Sequence, residues 1–197
     1  MPLLNSIAEI RMGATLRGRD ATRAVPDGTY RFLRIGDLTQ EGTCRTDNLI
    51  RIEPNEPISE ALHLRPGDVL FPNRGTRTTA FVFPGSRSPT IVGPQFFIVR
   101  AKPAAVLPDY LAWYLRSSHA AAHFDSRRKG SYVPIIQRRD LAELEIPIPP
   151  LTVQAKILEV ATLALQERDL SDRILRLRWQ YSREHLVGLA RKSCKPS

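Results

Sequence analysis

His119 and His123 sit four residues apart in "HAAAH", the spacing that puts two imidazoles on one helix face. A zinc peptidase of that pattern needs a glutamate after the first histidine, and Ala120 stands there. The pair reads as two helix-face histidines without a metal. Asp109, Asp125 and Asp140 lack the Asp…Glu-x-Lys spacing of a nuclease. "IPIPPL" holds a Pro-Pro pair without the preceding Asn or Asp and the following aromatic that amine methylation of DNA requires. No GxxxxGK[ST] phosphate loop and no GxSxG elbow is present. Cys44 and Cys194 form neither a disulfide framework nor a CxxC metal pair. The expectation is a binding protein with no catalytic residues and no metal of its own.

Two loops carry recognition chemistry instead. "FPNRGTRTTAF" (71–81) offers Asn73, Arg74, Thr76, Arg77 and Thr78. Arginine can meet guanine O6 and N7 with two hydrogen bonds, asparagine can do the same to adenine, and a threonine methyl can touch the thymine methyl. Gly75 permits a tight turn and close approach to a phosphate. "SRRKGSYVPIIQ" (126–137) offers Arg127, Arg128, Lys129, Ser131, Tyr132 and Gln137, expected mainly to hold phosphates and set register.

Charge distribution supports this. The 197 residues carry a net charge of +9. No acid lies between Asp68 and Asp109, where Arg74, Arg77, Arg87, Arg100 and Lys102 fall. None lies from Ser126 to Arg139, where Arg127, Arg128, Lys129, Arg138 and Arg139 fall. Basic stretches without internal neutralisation suit a polyanion. No run of 18 apolar residues exists, so no membrane span is read, and "MPLLNSIAEIRMG" does not have the pattern of a signal peptide. A reducing cytoplasm is the expected location.

The elements that must position these loops are legible in part. Residues 1–150 hold short β-rich runs at 30–35, 68–72, 79–83 and 95–99, each bounded by Gly/Pro turns. They predict a mixed sheet or small irregular barrel. Residues 108–124 read as one helix with Pro108 in its first turn. A short helix begins near Gln137, with Leu141 and Leu144 facing inward. "EIPIPP" (145–150) cannot be helical, because its prolines lack amide donors and push their predecessors toward extended geometry.

After it, Thr152 is a good N-cap with Leu151 as a staple, and no proline follows until Pro196. Val153, Ile157, Val160 and Ala164 are spaced 4, 3, 4, as are Leu170, Ile174, Leu177 and Tyr181. Polar "QERD" (166–169) separates these two heptad-like stripes. A helix of roughly 38 unbroken residues, about 57 Å at 1.5 Å per residue, is expected to project and pair with another helix. The predicted class is α+β: a recognition domain (1–150), one long helix (151–192) and a disordered tail (193–197).

Taken in order, several segments carry a family resemblance: "LNSIAEIRMGATL" (4–16), "YRFLRIGDL" (30–38), "LRPGDVLFPNRG" (64–75), "FFIVRA" with "LPDYLAWYLRS" (96–117), and "KGSYVPIIQRRDLAELEIPIPPLTVQAKI" (129–157). The chain resembles the DNA-specificity subunit of type I restriction–modification systems, in a half-length form. The most specific element is aliphatic-Pro-aliphatic-Pro-Pro-Leu-x-x-Gln-x-x-Ile. The resemblance implies a target-recognition domain that reads half of a split site on double-stranded DNA. It implies a spacer helix that pairs antiparallel with a second one. Modification subunits would dock there with S-adenosylmethionine, and restriction subunits would add translocation and cleavage, so that cofactor, magnesium and ATP belong to partners. Full-length members carry two domains and two helices, whereas this chain has one of each. A homodimer reading an interrupted palindrome is the simplest completion, with half-site centres roughly 34 Å apart. A heterodimer with another half subunit is the alternative. Two other readings stand beside these: a nuclease with a dispersed active site, and a decoy half subunit that blocks a full specificity subunit.

Overall fold

A computed structural model describes residues 1–18, 22–39, 42–44, 46–75, 79–102, 105–127 and 135–193. The chain divides into two compact units, Met1–Ala155 and Lys156–Ser197.

The first unit is built on two open sheets. One has strand order β1-β7-β4-β5, with β1 Ala8–Met12, β4 Val69–Pro72, β5 Phe81–Val82 and β7 Phe96–Ala101. All its neighbours are antiparallel. The other has order β3-β2-β6, with β2 Tyr30–Leu33, β3 Ile50–Ile52 and β6 Thr90–Val92. There β2 runs antiparallel to β3 and parallel to β6. The strand mixture matches expectation; among the described residues the sheets stay open rather than closing into a barrel.

Strand β4 shows why its sequence is uniformly apolar. All four residues are buried. Leu70 joins a cluster with Leu33, Phe83, Val92, Phe96 and Ile98. Phe71 instead meets Phe124 with ring centroids 5.1 Å apart. A strand covered on both faces cannot alternate. Asp68, just before it, is 1% exposed and receives both Nε and Nη2 of Arg100 at 2.7 Å.

Boundaries shift for local reasons. The run from Tyr30 stops at Leu33 because Asp37 accepts from the Arg34 amide at 2.8 Å and starts a 3₁₀ turn. The run at 79–83 contributes only Phe81–Val82 to a strand. The single helix expected over 108–124 is two: α2, Pro108–Leu115, and α3, Ser118–Asp125. Ser117 breaks it, taking extended geometry and accepting from the Ala120 amide at 3.2 Å. Ahead of them α1, Leu4–Ile7, is a single turn. Helix α4, Arg138–Ala142, follows Gln137, and Leu141 and Leu144 are both buried as expected.

The proline segment is an acceptor strip. Ile146 donates to the carbonyl of Pro2 at 3.0 Å, and Leu4 donates to Leu144 at 2.9 Å. The Pro147 carbonyl accepts from the Tyr110 hydroxyl at 2.8 Å, and that of Pro149 from Gln154 Nε2 at 2.8 Å. Pro150 accepts from the amides of Val153 and Gln154, so helix α5, Leu151–Ser193, begins at Leu151. Thr152 is therefore inside the first turn and is not the N-cap. Gln154 is fully buried and also accepts from the Leu107 amide at 2.9 Å and donates to Ala105 at 3.2 Å. The first unit consequently extends to Ala155, one turn into the helix.

Helix α5 has 43 residues, about 65 Å at 1.5 Å per residue. It includes Ser193, which the sequence reading assigned to the tail; residues 194–197 lie outside the described set. Among the described residues no helix is long and apolar enough to cross a membrane.

Candidate nucleic-acid interface

The two recognition loops are joined by backbone. Arg74 forms an isolated antiparallel bridge with Ile135. The Ile136 amide donates to the Asn73 carbonyl at 2.9 Å, and the Asn73 amide donates to Gln95 at 2.9 Å. Strand β4 delivers the first loop; α4, capped by Gln137, anchors the end of the second. Gly75 has φ +91° with nothing within 4 Å of the place a Cβ would occupy, so backbone conformation rather than crowding asks for glycine.

The side chains sort into distinct roles. Arg74 is exposed and has no ion-pair partner among the described residues. It borders a concavity of about 240 Å³ lined also by Ile35, Leu38, Thr39 and Thr79. Asn73, expected to read adenine, is 5% exposed, and its Nδ2 donates to the Pro94 carbonyl at 2.8 Å. Its Oδ1 is buried without a partner among the described residues. A two-bond contact to adenine needs both atoms free, so in this conformation Asn73 positions the loop. Arg127 Nη1 turns back to the Nδ1 of His123 at 3.2 Å and to its carbonyl at 3.3 Å. Gln137 forms a reciprocal cap with Asp140, whose Oδ2 accepts from the Gln137 amide at 3.1 Å. Thr76, Arg77, Thr78, Arg128, Lys129, Ser131 and Tyr132 lie outside the described residues.

Charge counted along the sequence overstates what is free. Arg100 is held by Asp68, Lys102 Nζ by the Ser6 carbonyl at 2.8 Å, and Arg138 Nε by the Ile10 carbonyl at 3.0 Å. Arg139 lies 4.0 Å from Glu143. Arg116 is tied to the Ala80 carbonyl at 2.6 Å, and burial lowers its pKa. It fixes the chain just after residues 76–78. That role is not visible in the sequence pattern. Its only signal is an arginine next to the helix break at Ser117.

His119 is exposed on α3. His123 Nε2 lies 2.8 Å from the Asp140 carbonyl, and its ring meets Phe124 edge-on. Among the described residues no group of three or more His, Cys, Asp or Glu side chains is arranged to hold a metal.

In the second unit, stripe residues on α5 face outward. Val160, Leu170, Ile174, Leu177 and Tyr181 are 66%, 57%, 49%, 55% and 72% exposed. Ala164 is exposed, as is Val153 in the first turn, while Ile157 is half-buried. Leu175, Trp179 and Leu186 are exposed as well, widening the apolar surface of the second half.

Two sheets, small helices, a Pro-rich acceptor strip and one long helix make up an α+β architecture. Residues 3–164 match the type I restriction modification DNA specificity domain, and the chain belongs to that family. Three solved structures share the fold. The type I restriction–modification S subunit from M. genitalium aligns at TM-score 0.55 and 12% identity, covering 82% of this chain and 37% of that one. The HsdS subunit from Thermoanaerobacter tengcongensis aligns at 0.58 and 20%, covering 84% and 36%. A chain from a structural study of complex assembly and conformational transition in the type I R-M system aligns at 0.63 and 21%, covering 99% and 49%. This chain thus spans about half or less of the length of those relatives. No curated protein matches its sequence.

Proposed function

We propose that the chain is the DNA-reading arm of a type I specificity subunit and works as a pair of copies on a bipartite, palindromic site. The observation that carries this is the junction at Asn73 and Ile136, which supports a single reading edge made from two basic loops. Arg74 reads a base there, extended by Thr76, Arg77 and Thr78. Arg128, Lys129, Ser131 and Tyr132 hold backbone, while Arg127 and Gln137, tied to His123 and Asp140, order the ends of their loop. The exposed stripes of α5 favour pairing with a second copy of this helix, because apolar side chains this regularly spaced gain by burial against a like surface.

Two-fold symmetry then demands two inverted, identical half-sites. Modification subunits bring S-adenosylmethionine, restriction subunits bring ATP and magnesium, and this chain contributes specificity without catalysis. The cytoplasm is where such a system works.

Selection of duplexes from a randomised pool by the purified chain tests the reading. Enriched duplexes should share two inverted copies of one short motif. No enrichment, or cleavage of plasmid DNA by the chain alone with magnesium, would overturn it.

A further inference from the structure

Two arginines away from the reading loops face each other across a strand pair. On β2, Tyr30 and Phe32 face a core cluster with Ile52 and Ile91. Successive side chains alternate, so Arg31 stands on the opposite face, as does Arg51 on β3. The two arginines are direct register partners. Like charges opposed across an antiparallel pair destabilise it. Three other arginines pair with carboxylates: Arg11 with Glu9, Arg34 with Asp37, Arg100 with Asp68.

Here, among the described residues, no carboxylate pairs with either one. Arg31 Nη1 donates to the Thr46 carbonyl at 3.1 Å. Arg51 donates to the Gly28 carbonyl at 3.1 Å and the Ser88 hydroxyl at 3.4 Å. Exposed Arg87 joins Arg31, Thr46 and Ser86 around a concavity of about 400 Å³.

We propose that this face of the three-stranded sheet is a second DNA contact, which grips two neighbouring backbone phosphates outside the loops that read bases. The inference rests on the DNA-reading role above and names a further surface for it. The guanidinium forks of Arg31 and Arg87, with the Ser86 hydroxyl beside them, suit the tetrahedral oxygens of phosphodiesters, and the neutral partner of Arg31 leaves its cation uncompensated. The placement fits the same duplex. Ile35, which borders the Arg74 concavity, is four residues from Arg31, so the chain holds them within about 14 Å. That is less than half of a roughly 34 Å helical turn.

The test is the salt dependence of binding of the whole chain to a random-sequence duplex. An Arg31→Ala/Arg87→Ala variant should lower the slope of log K against log salt by about two units, since each phosphate contact contributes about 0.9. It should weaken target and random duplexes by the same factor. Arg31→Lys with Arg87→Lys should keep the slope. Inorganic phosphate at matched ionic strength should leave the binding in place. Arg87→Ala alone, at an exposed position outside the strands, should lower the slope by about one unit even if the double variant does not fold. An unchanged slope in a folded variant, loss confined to target duplex, or displacement by inorganic phosphate overturns the inference and leaves the function standing. A wild-type chain that binds no duplex overturns both.

Discussion

The amide of Ile136 donates to the carbonyl of Asn73 at 2.9 Å, closing a contact between segments 63 residues apart in sequence. It joins the described ends of the two basic segments, 71–75 and 135–137, along one edge. Arg74, next to Asn73 and bridged to Ile135, is the described arginine of that edge that carries no competing partner. Arg74→Ala should therefore cost about 1–3 kcal/mol on target DNA and little on random DNA. Lys129→Ala should instead weaken both alike and reduce the salt slope by about one unit. Binding isotherms at several salt concentrations separate the two outcomes; equal losses on target and random DNA for Arg74→Ala would remove it as a base reader.

Gln154 is the physical content of the glutamine in the Pro-Pro-Leu-x-x-Gln segment. Its side chain satisfies the Leu107 amide and the carbonyls of Ala105 and Pro149 in a fully buried position. Gln154→Leu leaves those three groups without that partner, and each buried unsatisfied group costs about 1–3 kcal/mol. Urea unfolding should show a lower midpoint with an unchanged slope. A midpoint equal to wild type would mean that water or relaxation satisfies all three.

The stripes on α5 give an association test. Ile174 and Leu177 are about half exposed in the single chain. Ile174→Asp with Leu177→Asp places two charges where a partner helix would bury apolar surface, and sedimentation velocity should then report monomers with undiminished helical circular dichroism. A variant that stays dimeric would locate the interface elsewhere.

Cys44 is half-buried, and burial, aided by the charge of Asp37, pushes its thiol up from about 9 to about 11. Between those values the folded chain holds a proton that the unfolded chain has lost. The thiol's contribution to stability is thus present below pH 9 and falls as pH rises toward 11. Alkylation followed by mass spectrometry should find Cys44 largely unmodified at pH 8 in folded protein and modified once urea is added. Equal labelling in both states would contradict the shift.

Much of this architecture was legible because its signals are local. Prolines forbid helix over 145–150, and regular apolar spacing without breakers marks α5. Strands β3 and β6 were not legible, since "IRI" and "TIV" are three residues long and, among the described strands, pair with β2. Strand β1, "AEIRM", is rich in residues at home in helices and is extended because it pairs with β7. At the site, residue types singled out two loops, and burial gives Asn73 a positioning contact that its residue type does not announce. The opposed Arg31 and Arg51 were invisible, because only strand register brings residues 20 positions apart face to face.

The central claim is that two copies of one basic reading edge define the DNA site. It is tested most directly by mapping methylated bases in DNA from cells that express this chain with a type I modification subunit, beside cells expressing the Arg74→Ala variant. The expected result is one interrupted motif whose halves are inverted repeats, weakened or lost in the variant. An asymmetric or uninterrupted motif, or methylation that ignores Arg74, would contradict it.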